Sequence, residues 1–370
     1  MLQVRQLPAF TGIQAVLAAN AKMTATCAMQ LGKRVHAVHF ELGNDTGTAA
    51  DATHLGPGIG IGTYDAPGPF DECRILIDGN VERKFTISEL NEINKVMNQP
   101  GLNTFTAKTG GTDGKGIAAG VTGFRTRISI YFAEPWRKGF IQITRNGKTI
   151  TVPESELTAW NLAPFNPQTG RGIKTCTIEL DVIARNGATV TKELDGCVIS
   201  GTYEFDELTS DDIGTIVKWK RNTFNAGANP YELVTLPTKN GAYQSLHIFA
   251  TNEAVPCFVR SLMFTRDNVQ IRQDVTRAQN DHVLIERNMN PAQGATAATN
   301  PVDITSKATT LQTGTYNLVF DYDDPVLNML SVDGSNELTA RLTFGGQDGG
   351  AANVPSVALT VISQINGTPD

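Results

Sequence analysis

Charge, histidine and long apolar runs are all scarce in this chain. Asp, Glu, Lys and Arg make up 18% of its 370 residues, below the ~25% of an ordinary soluble domain. That excludes a charged disordered chain and a salt-laced coiled coil. With 31 basic against 37 acidic residues the net charge is −6, which argues against a general nucleic-acid-binding surface. No segment approaches the ~18–20 uninterrupted apolar residues of a membrane-spanning helix. Near the start, the apolar run 15–19 lies between Gln14 and Asn20. It is shorter than the ~7–15 residues of a signal-peptide core, so the segment is read as part of the mature chain. Cys27, Cys73, Cys176, Cys197 and Cys257 are odd in number, widely spaced and without a Cys-x-x-Cys pair. They suit neither a disulfide framework nor a zinc site, and predict buried free thiols in a reducing cytoplasm.

Glycine and proline, by contrast, are plentiful at 35 and 17 residues. Asn-Gly begins at 146, 186, 240 and 366, and Asp-Gly at 78, 113, 195, 333 and 348; these pairs tolerate the positive φ of tight hairpins. Arg74–Ile77 and Phe140–Thr144 precede two of them. Phe124–Phe132, Thr175–Val182 and Tyr316–Phe320 alternate apolar and polar residues at period two, so each predicts a strand with one face on a core. Helix signals are few. Thr86-x-x-Glu89 predicts a capping box opening a helix that carries Leu90, Ile93 and Met97 and stops at Pro100-Gly101. Phe10, Ile13 and Leu17 suggest a second helix over Ala9–Asn20, and Thr209–Asp212 a single turn. The class is all-β, with short inserted helices.

Self-comparison predicts an internal duplication. Gly123 to Glu134-Pro135 parallels Gly314 to Asp324-Pro325, and Ile75–Val81 parallels Leu262–Val269. Each of the latter is followed by a polar segment, containing Asn94 and Met97 or Asn280 and Leu284. Cys176–Ile183 is matched with Val357–Gln364, and the histidine-bearing Val35–Phe40 with Ser245–Phe249. Two similar sandwiches are expected, residues 1–205 and 206–370. The crossover falls around Phe205–Asp212, where Glu204, Asp206, Glu207, Asp211 and Asp212 concentrate charge.

Candidate chemistry is thin. The run Gly56–Gly62 lacks phosphate-loop spacing and reads as a loop. His36 and His39, three apart on a strand, point to opposite faces and could share a metal only across a bulge. His54, His247 and His282 have no cysteine or carboxylate at ligand spacing. Asp321, Asp323 and Asp324 are the densest acidic group and the one place where calcium is conceivable, although a solvated strand end explains them as well. Trp136 with Arg137 and Lys138, and Trp219 with Lys218, Lys220 and Arg221, have the composition of interface anchors. Residues 1–40 carry Arg5, Lys22, Lys33 and Arg34 and no acid; that arm either faces an anionic membrane leaflet or packs on its own sandwich. No catalytic, cofactor-binding or metal-ligating residue is assigned.

Read in order, several stretches resemble one family. They are Leu7-Pro8-Ala-Phe10-Thr-Gly12, then Gly32-Lys-Arg-Val-His36, the Ile-Asp-Gly turn with its helix, and Ile128 to Glu134-Pro135. In the second half come Leu236-Pro237 before Tyr243–Phe249, and Val259–Phe264 leading into Asn268-Val269. Together they resemble the major capsid proteins of tailless, membrane-containing icosahedral phages, the corticovirus type of the double jelly-roll lineage. The resemblance implies two tandem eight-stranded jelly rolls and a homotrimeric, pseudo-hexameric capsomer. Its implied partners are neighbouring capsomers, vertex or membrane proteins and an internal lipid membrane, without direct nucleic-acid contact. It implies a non-enzymatic virion protein made in the host cytoplasm, with loops 104–120 and 289–300 at the sandwich ends as tower or inter-capsomer contacts. A two-sandwich carbohydrate-binding or carbohydrate-active protein is the alternative, with Glu134 and Asp324 as its candidate acid-base pair. A cupin-like metalloenzyme would need clustered histidines that the sequence does not supply.

Overall fold

The computed structural model describes residues 2–14, 21–44, 70–97, 103–105, 124–135, 137, 139–145, 147–183, 197–207, 214–226, 230–238, 241–251, 259–287, 289, 315–320, 329–332, 334–344 and 357–370. The run 56–62, the turn at 209–212, the acidic group 321–324, His54, Trp136 and Lys138 lie outside them, as do most of loops 104–120 and 289–300.

The chain gathers into two compact units. The first comprises Met1–Asn91, Pro100–Ile216 and Pro369–Asp370; the second comprises Glu92–Gln99 and Val217–Thr368. In chain order the elements are β1 (Gln3–Gln6), β2 (Lys22–Ala28), β3 (Lys33–Asn44), β4 (Phe70–Ile77), β5 (Asn80–Thr86), α1 (Ile87–Val96), β6 (Asn103–Phe105), β7 (Phe124–Tyr131), β8 (Phe140–Arg145), β9 (Lys148–Pro153), a 3-10 turn at Glu154–Glu156, β10 (Trp160–Leu162), β11 (Cys176–Ile183) and β12 (Cys197–Asp206). There follow β13 (Ile216–Ala226), β14 (Tyr231–Leu236), β15 (Ala242–Thr251), β16 (Val259–Arg266), β17 (Val269–Thr276), α2 (Arg277–Glu286), β18 (Thr315–Val319), β19 (Leu330–Ser331), β20 (Leu338–Phe344) and β21 (Val357–Gly367).

In the first unit one sheet runs β1-β12-β3-β7-β6, with β10 also on β3, and the other runs β2-β11-β4-β5; β8 and β9 form a separate hairpin. In the second, one sheet runs β13-β21-β15-β18, with β19 on β15, and the other runs β14-β20-β16-β17. Setting aside β6, β8, β9, β10 and β19, the strands of each unit can be ranked along the chain. Ranks 1-8-3-6 then form one sheet and ranks 2-7-4-5 the other, in both units.

Alternation places the core. Met23, Ala25 and Cys27 on β2, Cys176, Ile178, Leu180 and Val182 on β11, and Cys73, Ile75 and Ile77 on β4 are all buried. The intervening positions carry an ion ladder in which Lys22 and Arg74 meet Asp181, Arg74 also meets Glu179 and Glu72, and Lys84 meets Glu72. In the second unit Val234, Leu246, Ile248, Leu262, Phe264, Leu342 and Leu359 belong to one apolar cluster. Cys27, Cys73 and Cys176 are free and buried, and burial pushes the Cys27 thiol up to about 11, which leaves it unreactive at neutral pH.

The duplicated hairpin repeats down to single atoms. Asp78 (φ 49) and Gly79 (φ 87) turn β4 into β5, and Asp267 (φ 48) and Asn268 (φ 64) turn β16 into β17; two successive positive φ values define the tight hairpin turn. Asp78 Oδ1 accepts from the backbone N–H of Lys174 (2.7 Å) and Thr175 (2.8 Å), and Asp267 Oδ1 from Asn336 (2.8 Å) and Glu337 (3.0 Å). Each aspartate so ties its turn to the segment entering the rank-7 strand. Asp78→Ala or Asp267→Ala is expected to cost about 1–2 kcal/mol, with Asp→Asn recovering most of it. Chemical denaturation of the four variants checks this, and an alanine variant as stable as the parent would contradict it.

Three expectations change. Residues 9–14 are not helical: Thr11 bridges Thr26 with two backbone bonds of 2.9 Å, and Gly12 has φ 80; residues 15–20 lie outside the described set. The polar segment after β17 is a helix, α2, opened by Thr276 and Gln279 as α1 is by Thr86 and Glu89. These caps align at an offset of 190, so Leu284 corresponds to Asn94 rather than to Met97. Finally, Cys176–Ile183 is rank 7 and Val357–Gly367 rank 8. The counterpart of β11 is therefore β20, and their shared alternation misled the match. The pairings of β4-β5 with β16-β17, of β7 with β18 and of β3 with β15 agree with the strand order.

Candidate functional site

One polar constellation of the first unit grows from a register slip. Along β12, Glu204 pairs with Ala37 and the next residue, Phe205, pairs with Val35. His36 is the extra residue of a bulge. Its Nε2 lies 2.7 Å from Asp206 Oδ2. Arg34 Nε donates to both oxygens of Asp206 at 3.1 and 3.0 Å, and its terminal nitrogen reaches Glu156 Oε2 at 2.6 Å. These groups line a cavity of about 330 Å³ together with Leu2, Ala37, Tyr131, Ala133, Pro135, Ser155 and Glu204. The bulge that the sequence named as a precondition is present, yet His39 turns elsewhere: its Nδ1 meets Ser129 Oγ at 2.7 Å and its Nε2 lies 3.1 Å from Glu204. The hydrogen bond from His39 holds the Glu204 carboxyl below its ordinary value.

His36, Glu156 and Asp206 have ligand atoms within 4.8 Å of one another, the metal-capable grouping found among the described residues. A guanidinium already occupies the place of a cation, since Arg34 bonds both carboxylates. Burial pulls the Arg34 pKa down, but its bonds to Asp206 and Glu156 more than offset that and hold it above its ordinary value. The chemistry is that of an ion-pair lock joining β3, the 3-10 turn and the end of β12. The charge concentrated from Glu204 to Glu207 is thus largely strand, with partners: Glu207 pairs with Lys33 at 2.9 Å.

Three of the four basic residues of the arm are ion-paired and the fourth, Arg5, has neutral partners. Arg5 donates to Gln30 at 3.1 Å and sits over the Phe205 ring, and Lys22 pairs with Asp181. With Lys33 and Arg34 also paired, all four basic residues of the arm have partners within their own unit. Glu134 is buried against Arg137 Nε at 2.6 Å, out of solvent. A glycosidase acid must instead be exposed to a substrate in a cleft. Its proposed mate Asp324 lies outside the described residues. Trp219 is buried, and so is Arg137.

The second unit repeats the buried strand histidine. His247 is fully enclosed, with Nδ1 2.8 Å from Asn317 Oδ1 across the strand pair and Nε2 3.0 Å from Ser245 Oγ, which also bonds Gln364. Burial drives its pKa from 6.5 down to about 4. Below pH 6.5 the unfolded chain takes up a proton that the folded one refuses, so stability falls as pH drops toward 4 and levels off beneath it. The loss is on the order of 3 kcal/mol. Urea unfolding at pH 7 and pH 4.5 checks it. His247→Gln should lack that component, and equal pH dependence in both proteins would contradict the assignment.

No protein-family model matches the sequence, and no curated protein matches it. Solved structures do. The crystal structure of the major capsid protein of bacteriophage PM2 is 14% identical with a TM-score of 0.59, covering 100% of this chain and 98% of that one. The atomic structure of Sulfolobus Turreted Icosahedral Virus gives 8% identity, a TM-score of 0.56 and coverage of 100% and 91%. A quasi-atomic PBCV-1 virus capsid gives 10%, 0.52 and coverage of 99% and 93%. Whole-length similarity at such low identity is a statement about architecture: predominantly β-sheet with short helices. The chain has the fold of the double jelly-roll viral major capsid proteins.

Proposed function

We propose that this chain is a major capsid protein, built as two eight-stranded jelly rolls divided near residue 206. Three copies form a pseudo-hexameric capsomer, which tiles an icosahedral shell over an internal membrane. The observation that carries this reading is the strand order 1-8-3-6 and 2-7-4-5, written twice in one chain. Three copies of a duplicated module present six similar modules around a threefold axis, and six approximates the symmetry of a hexagonal tile. The capsid proteins of similar fold support it. The ion pairs of Arg34 with Asp206 and of Glu134 with Arg137 are consistent with a structural role. The role is surface complementarity rather than chemistry. Neighbouring capsomers, vertex or membrane proteins and lipid are the partners, in a virion assembled from protein made in the host cytoplasm.

Light scattering on the purified chain tests the proposal. The expected mass is three times 39.8 kDa, or that of larger shells. A stable monomer that binds oligosaccharide would overturn it in favour of a carbohydrate-binding protein.

A further inference from the structure

The two rank-1 strands differ in one respect. In β13, Val217, Lys218 and Trp219 are 4%, 1% and 6% exposed, so three consecutive residues, and hence both faces, are buried. In β1, all four residues from Gln3 to Gln6 are exposed, and Val4 is 63% so. The backbone of β1 is open as well. Leu7 N–H donates to Gly201 O at 2.8 Å, and the register continues as Arg5 opposite Tyr203 and Gln3 opposite Phe205. Antiparallel alternation then turns the N–H and C=O of Val4 and Gln6 away from β12, toward a free edge. A strand with exposed side chains and, among the described residues, an open edge invites pairing with another strand unless something covers it.

We infer that β1 is covered in the capsomer by β17 of a second copy of this chain, an inference that rests on the trimeric reading above. The ranks identify the partner. In a sandwich ordered 1-8-3-6 over 2-7-4-5, ranks 1 and 2 make one flank and ranks 5 and 6 the opposite flank. Two like flanks meeting make a twofold dimer, whereas a threefold ring is heterologous, with a 1-2 flank against a 5-6 flank. The 5-6 flank of the second unit is β17 and β18. Of these, β17 ends its sheet with β16 as its one described neighbour and exposes Val269 at 64%. Its eight residues are long enough to pair all four of β1. Strand addition at an open edge supplies main-chain bonds, with Val4 and Val269 adding apolar contact.

The test uses the full chain with benzoylphenylalanine at position 4, irradiated while its mass is followed by light scattering. The expected products are covalent dimers and trimers whose cross-linked peptides map to residues 269–276. Trimers whose cross-links fall elsewhere, or form none between chains, overturn this inference and leave the capsomer reading standing. Monomers overturn both. Independently, Val4→Asp should raise the trimer dissociation constant at least about tenfold while leaving the melting of the dissociated chain unchanged. An unchanged dissociation constant also overturns the inference.

Discussion

Replacing Trp160 with alanine is expected to lower the unfolding free energy of the first unit by about 3–5 kcal/mol. The indole is 1% exposed, on a three-residue strand that pairs Trp160 with Val35. Its ring lies 4.6 Å from that of Phe132, and the Arg83 guanidinium sits 5.1 Å from the indole and 4.8 Å from the phenyl ring. Arg83 is itself 1% exposed and donates to Tyr131 O at 2.7 Å, and burial pulls its pKa down to about 9. Removing the indole leaves a void and strips one aromatic wall from a buried cation, so the loss should fall at the upper end. Trp160→Phe keeps a π face and should recover much of it. Urea titration, fitted with a separate transition for each unit where two are seen, measures both. A loss under about 1 kcal/mol would show that the site collapses without strain.

Arg34→Met should cost a similar amount, about 3–5 kcal/mol, for a different reason. The side chains of Arg34 and Asp206 are 12% and 5% exposed. Without the guanidinium, Asp206 and Glu156 both lose the cation that bridges them. The triple variant Arg34→Met, Asp206→Leu, Glu156→Leu should regain most of the stability, because an apolar replacement of the whole lock leaves no charge uncompensated. A triple variant as unstable as Arg34→Met alone would mean that the loss comes from packing rather than from charge.

Several of these features were legible before any fold was seen. Asp78-Gly79 announced its turn, because few other residues tolerate two positive φ values. The spacing of Thr86 and Glu89 announced α1. Thr276 and Gln279 carry the same signal for α2, but it passes unnoticed where the following residues lack an apolar stripe. Strand-like runs ahead of turn pairs located β4 and β8, and alternation located β7, β11 and β18. Alternation alone could not say that β11 corresponds to β20 rather than β21, since any half-buried strand shows period two. The bulge at His36 leaves no mark in the sequence, because it is a property of two strands in register, and with it the lock to Asp206, 170 positions away, stayed hidden.

The division follows from range. Turn chemistry, caps and strand periodicity depend on residues within about four positions of one another, and the amino-acid order states them directly. That the chain is predominantly β, with short helices, was determined at that level. Which strand lies beside which, which acid neutralises which base and which edge is left bare depend on burial shared among segments far apart in the chain. Only the tertiary structure decided those, because many strand orders satisfy the same local pattern, and pairs such as Arg34 with Asp206 form only when distant strands lie side by side.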